Sequence, residues 1–246
     1  MMSALPDRTP DIEHLITEDD EPVDNLFSET QQRLLTEPLY SSWPGGGRKF
    51  LAAANVGVFY LARNPGIAPD VFLSLDVEVP EEFWNKDRRS YFLWEFGKAP
   101  DIAIEIVSNT IGGENDEKKE KYARMRIGYY IIFDPYGELM PDTLTIYRWN
   151  DFRYEQQASA QFPTLGLGVT LWEGEYEGKH DLWLRWVDAE GKLIPTGKEL
   201  AGQERQRAEQ ERSRAEQSEQ LLQQERERAE RMAEMLRQLG KDPNKL

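Results

Sequence analysis

Residues 98–136 read KAPDIAIEIVSNTIGGENDEKKEKYARMRIGYYIIFDPY. Ile102, Ile104 and Ile106 alternate with Asp101, Ala103, Glu105 and Val107. A period of two is a β-strand, here with one aliphatic face and one face that carries two carboxylates. Gly112-Gly113 interrupts it. Asn115 then suits a helix cap, with Asp116 and Glu117 in the first turn and Arg124 and Arg126 in the last, where each sign complements the helix dipole. Gly128 marks the helix end, and residues 129–133 form a second apolar strand closed by Asp134-Pro135. Strand, charged helix, strand is a βαβ unit. Its carboxylates sit on a strand, where geometry is rigid.

Upstream of this unit, residues 70–77 (DVFLSLDV) alternate in the same way, with Val71, Leu73, Leu75 and Val77 on one face. Residues 56–62 (VGVFYLA) are an apolar strand turned by Asn64-Pro65-Gly66. Before them, SETQQRLLTEPLYSSW predicts a short helix capped by Ser28 and ended by Pro38, and Gly45-Gly46-Gly47 is a flexible break. Residues 80–98 are a polar loop through which Trp84, Tyr91, Phe92, Trp94 and Phe96 are spaced. Downstream, residues 144–149 and 152–156 meet at Asn150-Asp151 as a hairpin, and residues 165–172 and 181–187 are two more strands. The order is helix, three strands, helix, strand, then a β-rich extension. That is an α/β domain with an αβββαβ core.

The ends follow a different logic. Residues 1–21 are an acidic lead-in with few large apolar side chains, expected to be disordered. Residues 198–246 contain no aromatic, and carry eleven of the 30 basic and eleven of the 45 acidic residues. The whole net charge of -15 therefore resides in residues 1–197. Ala201, Ala208, Ala215, Leu222, Ala229 and Leu236 recur every seven residues, opposite the polar Glu211, Ser218 and Glu225. This predicts a long helix with a weak coiled-coil seam, sticky only near Met232, Met235, Leu236 and Leu239. The divisions are thus 1–21, 22–197 and 198–246.

With no cysteine, disulfides, thiolate metal sites and cysteine nucleophiles are excluded. His14 and His180 lack a second His or Cys at ligand spacing, which argues against zinc. No apolar run approaches the ~20 residues of a membrane span. A cytoplasmic protein without membrane attachment is expected.

Asp70 opens one strand and Glu105 sits in the next, sharing a face with Asp101. Hard oxygen ligands from adjacent strands are what Mg²⁺ takes, with several waters retained. A nearby lysine would orient the nucleophile and neutralise charge in phosphodiester hydrolysis.

The stretches NVGVFY, APDVFLSLDV, WEFGKAPDIAIEIVSN, KYARMRIGYYIIFDP, GVTLWEG, WLRWVD and KLIPTG, in this order, resemble the bacterial restriction endonuclease family of the PD-(D/E)XK nuclease superfamily. The resemblance covers roughly residues 22–197. It implies a restriction-endonuclease-like fold, Mg²⁺-dependent cleavage of DNA, and the PD role for Asp70 and the (D/E)XK acid for Glu105. Asp101 is then an extra ligand or orienting group. Val107 stands where the motif lysine belongs, and the resemblance implies a migrated lysine on the following helix, Lys118. Lys118, Tyr122 and Met125 fall on one helical stripe, whereas Lys119 and Lys121 fall elsewhere. In some relatives the first helix supplies an acid, for which Glu29 is the nearby candidate.

Each residue also has a structural reading. Asp70 could serve its turn alone, Asp134 is expected as a turn residue, and Glu105 with Lys118 could form only a salt bridge. The function classes that follow are a Mg²⁺-dependent DNA endonuclease, a catalytically silent fold acting as an oligomerisation or docking platform through its tail, and a plain divalent-metal binder. The acidic body counts against the first unless Lys86, Arg88, Arg89 and Lys98 make a local basic face.

Overall fold

The computed structural model describes residues 25–79, 81, 82, 84–86, 88–108 and 117–238. The acidic lead-in, the Gly112-Gly113 break, the Asn115 cap and Leu239 lie outside them. Helix α1 (Leu26–Ser41) starts earlier than its sequence suggests, because Asn25 rather than Ser28 is the cap: its side chain accepts from the Ser28 N–H at 3.0 Å. Pro38 lies inside this helix instead of ending it. Leu34, Leu35 and Leu39 are at most 1% exposed around the proline. Their burial, about 1.5–3 kcal/mol each, outweighs the roughly 3 kcal/mol cost of an interior proline.

Strand β1 (Phe50–Ala54) follows, then the two-residue β2 (Val58–Phe59) and β3 (Val71–Leu75). The expected strand over 56–62 is therefore displaced. The true first core strand is FLAAA, whose alanines carry little β signal. Asn55 then adopts φ 54° and turns the chain out of the sheet. Within the aromatic loop come β4 (Tyr91–Phe92) and the one-turn helix α2 (Leu93–Phe96), and β2 pairs with β4 in a small parallel ribbon.

The central unit is β5 (Ile102–Ile106), α3 (Lys119–Met125) and β6 (Tyr129–Phe133), as the sequence predicts. Helix α3 stops at Arg126, in the left-handed conformation with φ 59°, and not at Gly128. Strands β7 (Leu144–Trp149) and β8 (Tyr154–Gln156) form the expected hairpin, and β9 (Gln161–Phe162), β10 (Leu167–Tyr176) and β11 (Lys179–Asp188) make the extension. Strands β10 and β11 pair over their full length and turn at Glu177-Gly178, both with positive φ, as a two-residue hairpin loop requires.

Six strands make the main sheet, in the order β1-β3-β5-β6-β7-β8. All neighbours are antiparallel except β5 and β6, whose parallel pairing needs the α3 crossover. This is the α/β, αβββαβ arrangement of α1, β1, β3, β5, α3 and β6. Both faces are covered. Ile102, Ile104 and Ile106 pack with Leu35 and Leu39 of α1 and Leu184 and Trp186 of β11. On the other face Ala103 and Val107 pack with Tyr122 and Met125 of α3. The carboxylate-bearing face of β5 is thus as buried as the aliphatic one.

A second compact unit begins at Gly197 and holds the long helix α4 (Gly197–Gln238, 42 residues). Its described side chains are exposed almost throughout. Pairs such as Arg212–Glu216 at 2.9 Å run along its surface. None of the helices among the described residues is long and apolar enough to cross a membrane.

Candidate active site

Val71 pairs with Ile104 across β3 and β5, so Asp70, one residue upstream, stands beside Glu105 and Ile106. The Ile106 N–H donates to Asp70 Oδ2 at 2.6 Å, and the Gln32 amide on α1 donates to Asp70 Oδ1 at 3.1 Å. Both of these donors come from other elements, β5 and α1, and Asp70 also faces a second carboxylate.

Glu105 is 1% exposed. Lys118 Nζ donates to its Oε2 at 2.9 Å, the Tyr122 hydroxyl donates to its Oε1, and Asp70 is a further hydrogen-bonding neighbour. Burial pushes the Glu105 carboxyl above its ordinary value, against the lowering effects of the Lys118 charge and of the Tyr122, Lys118 and Asp70 hydrogen bonds. Burial and the Glu105 charge hold the Tyr122 hydroxyl well above its ordinary value, so it remains a donor. The Lys118 side chain is 28% exposed and therefore forms the solvent-facing edge of the group. Lys118 enters just before α3, one turn ahead of Tyr122, which is the helical stripe that points it at the sheet. Lys121 pairs with Glu117 at 2.7 Å, and Lys119 lies 3.6 Å from the centre of the Tyr147 ring.

Asp70, Glu105 and Lys118 are brought together from three elements. Asp101 is not. It precedes β5 at the far end of the strand from Glu105, where its Oδ2 accepts from the Leu75 N–H at 2.7 Å and from Lys98 Nζ at 2.6 Å. Strand period put Asp101 on the Glu105 face. Four residues of strand, roughly 13 Å, separate them, and Asp101 instead caps the end of β3. Lys98, also bonded to the Leu75 carbonyl at 2.9 Å, is committed there rather than to a basic face. Glu29 pairs with Arg33 at 2.8 Å on the surface, so Gln32 is the α1 residue that reaches Asp70. Sequence reading missed Gln32 and took Tyr122 only as packing. The i, i+4 spacing of Lys118 and Tyr122 was the available signal for the latter.

Two buried carboxyls in hydrogen-bonding contact either share a proton or, if both are charged, need a cation beside them. Their oxygens are hard donors, and each hydrogen-bonded oxygen keeps a second lone pair. With Lys118 as the neighbouring ammonium, the donor set fits a small divalent cation that retains several waters. Among the described residues no cluster of three His, Cys, Asp or Glu is assembled, and the carboxylates these residues offer such an ion are Asp70 and Glu105.

Over residues 16–171 the chain matches the family model Uma2, described as "Putative restriction endonuclease". The chain belongs to the Uma2 family. A crystal structure described as "a putative nuclease belonging to DUF820", from Anabaena variabilis, is 15% identical, with a TM-score of 0.41, and the match covers 58% of this chain and 76% of that one. No curated protein matches the chain significantly. Within this Uma2 chain Val107 is 1% exposed and packs as an aliphatic core contact, and the ammonium beside Glu105 is that of Lys118, the residue before α3.

Proposed function

We propose that this Uma2 protein is a Mg²⁺-dependent endonuclease that hydrolyses DNA phosphodiester bonds. The observation that carries the reading is the convergence of Lys118, from the helix, on Glu105 and Asp70, from two strands, with Nζ 2.9 Å from Glu105 Oε2. Asp70 and Glu105 would hold the ion. When bound, Mg²⁺ lowers the pKa of a coordinated water and stabilises charge on a phosphate. The Ile106 N–H and Gln32 amide keep the Asp70 carboxylate in place, and Tyr122 keeps that of Glu105. Lys118, on the solvent side, is placed to orient an attacking water or to meet a phosphate oxygen. Arg88 and Arg89 are exposed on the loop after β3 and are candidates for backbone contacts.

A second reading is supported by the same hydrogen bonds. Both oxygens of Glu105 and both of Asp70 already have protein donors. A catalytically silent fold held together by this network, with α4 as a docking helix, would look alike. Plasmid nicking separates the two. The parent should nick in Mg²⁺ and not in EDTA, and Glu105→Ala and Lys118→Met should each lose about a hundredfold or more, the scale of one acid–base or electrostatic group. Nicking that survives EDTA or Glu105→Ala sinks the endonuclease reading. A parent inert in Mg²⁺ and Mn²⁺ favours the silent fold.

A further inference from the structure

Helix α1 reaches the carboxylate pair through one side chain. Gln32 is 4% exposed. Its amide nitrogen donates to Asp70 Oδ1 at 3.1 Å, and its carbonyl oxygen accepts from Asn55 Nδ2 at 2.8 Å. A carboxylate only accepts, so Asp70 dictates which end of the Gln32 amide faces it, and the Asn55 amide satisfies the other end. Asn55 holds the left-handed conformation at φ 54°, and its N–H bonds to the Pro69 and Asp70 carbonyls at 3.2 and 3.3 Å. The relay therefore starts and finishes on the segment that carries Asp70. Next to it, Gln31 is bonded in both directions to the Leu184 backbone of β11, at 2.9 Å each way, which pins α1 against rotation. Leu34 and Leu35 already supply the apolar contacts of this helix.

We infer that Gln32, oriented by Asn55, is a positioning residue that presets the Asp70 carboxylate for a divalent cation. The inference rests on the metal-dependent reading proposed above, and it assigns to α1 a part in the site. A neutral donor suits that part, because it fixes Asp70 without adding charge, whereas the positive charge at the site comes from Lys118. Outer donors of this kind are worth about ten- to a hundredfold in metal affinity.

The test is calorimetric titration of the full chain with Mn²⁺ and Mg²⁺, in parallel with thermal melts in EDTA. Gln32→Met removes the donor and keeps the volume. It should bind the cation about ten- to a hundredfold more weakly, and on cleavage assays should raise the Mg²⁺ concentration needed for half-maximal rate while leaving the rate at saturating Mg²⁺ near the parent's. Asn55→Gly, easily accommodated at positive φ, should give a smaller loss in the same direction and covers the case in which Gln32→Met does not fold. If the parent binds the cation and a folded Gln32→Met binds it equally well, the positioning role is overturned while the metal site stands. A lower midpoint in EDTA with unchanged affinity would likewise make Gln32 a structural residue only. Should the parent itself bind neither cation, the inference and the endonuclease reading fall together.

Discussion

At the scale of single residues, the site is a contest between burial and compensation. Tyr122 tests how that contest is held. Its ring is fully buried and lies 5.0 Å from that of Tyr130, so Tyr122→Phe keeps the packing and removes only the hydroxyl. Glu105 Oε1 would lose its donor while the residue stays buried. The expected cost is about 1–3 kcal/mol, read as a lower urea midpoint with unchanged slope. An unaltered midpoint would show that Lys118 alone satisfies Glu105. Asp134 offers a pH test away from the site. It is buried after β6 and accepts the N–H groups of Glu138, Leu139 and Met140 at 2.9, 2.7 and 2.7 Å. Burial raises its pKa, but these bonds and one from Gly137 prevail and hold it below the ordinary value. A lowered carboxylate stabilises the fold above its unfolded pKa, about 4, and that stability is lost as pH falls through the folded value. Asp134→Asn should therefore be less stable than the parent at pH 7 by about 1–3 kcal/mol, with the gap closing below about pH 4. A gap that stays constant down to pH 3 would contradict this. Asp134 as a turn residue, and Asp70, Glu105 and Lys118 as a group, were legible because their environment is local or their order distinctive. Gln32 was not, since its partner lies 38 residues away and a helical glutamine carries no pattern.

At the scale of elements, period and punctuation were informative where side chains alternate and misleading where backbone conformation decides. The run β5, α3, β6 could be read directly because isoleucines, charges and aromatics change period at its joints. Strand β1 could not. Its three alanines look like a linker, while the greasier residues 56–62 lie past the left-handed Asn55 and pair outside the main sheet. The end of α3 shows the same limit. Gly128 looked like the stop, but it is needed elsewhere: a Cβ there would meet the Asp101 carbonyl oxygen at 3.0 Å. The left-handed position falls to Arg126, exposed and at φ 59°, with its N–H on the Ala123 and Tyr122 carbonyls. A side chain in that conformation costs roughly 1–2 kcal/mol, part of which glycine returns through its freer unfolded chain. Arg126→Gly should accordingly stabilise the protein by about 0.5–1 kcal/mol, and a drop in midpoint would mean the arginine makes a contact that outweighs the strain.

At the scale of the whole molecule, charge and burial divide the chain at the same place. The residues before Gly197 hold the net charge and the two apolar clusters that flank the sheet, while residues 198–246 are charge-balanced and α4 is exposed. Leu221, Leu222, Met232 and Met235 are each more than half exposed along it, interleaved with Arg–Glu pairs. Two forces then compete for the helix. Its composition favours helicity over 42 residues, long enough to escape the nucleation penalty. Its seam offers mostly alanine opposite polar side chains, which supplies little of the burial that leucine or isoleucine at both core positions of a coiled coil would give. Helicity should win and association should lose. A peptide of residues 197–238 is therefore expected to show strong helical circular dichroism and to sediment as a monomer at low micromolar concentration. A chain ending at Thr196 should keep the thermal midpoint of the full protein, because both apolar clusters lie within it. A tight dimer of the peptide at those concentrations would show that the few exposed leucines and methionines suffice for a seam. In that case a cleavage rate that rises more steeply than linearly with protein concentration, and loses that dependence when the chain ends at Thr196, would place dimerisation within the function.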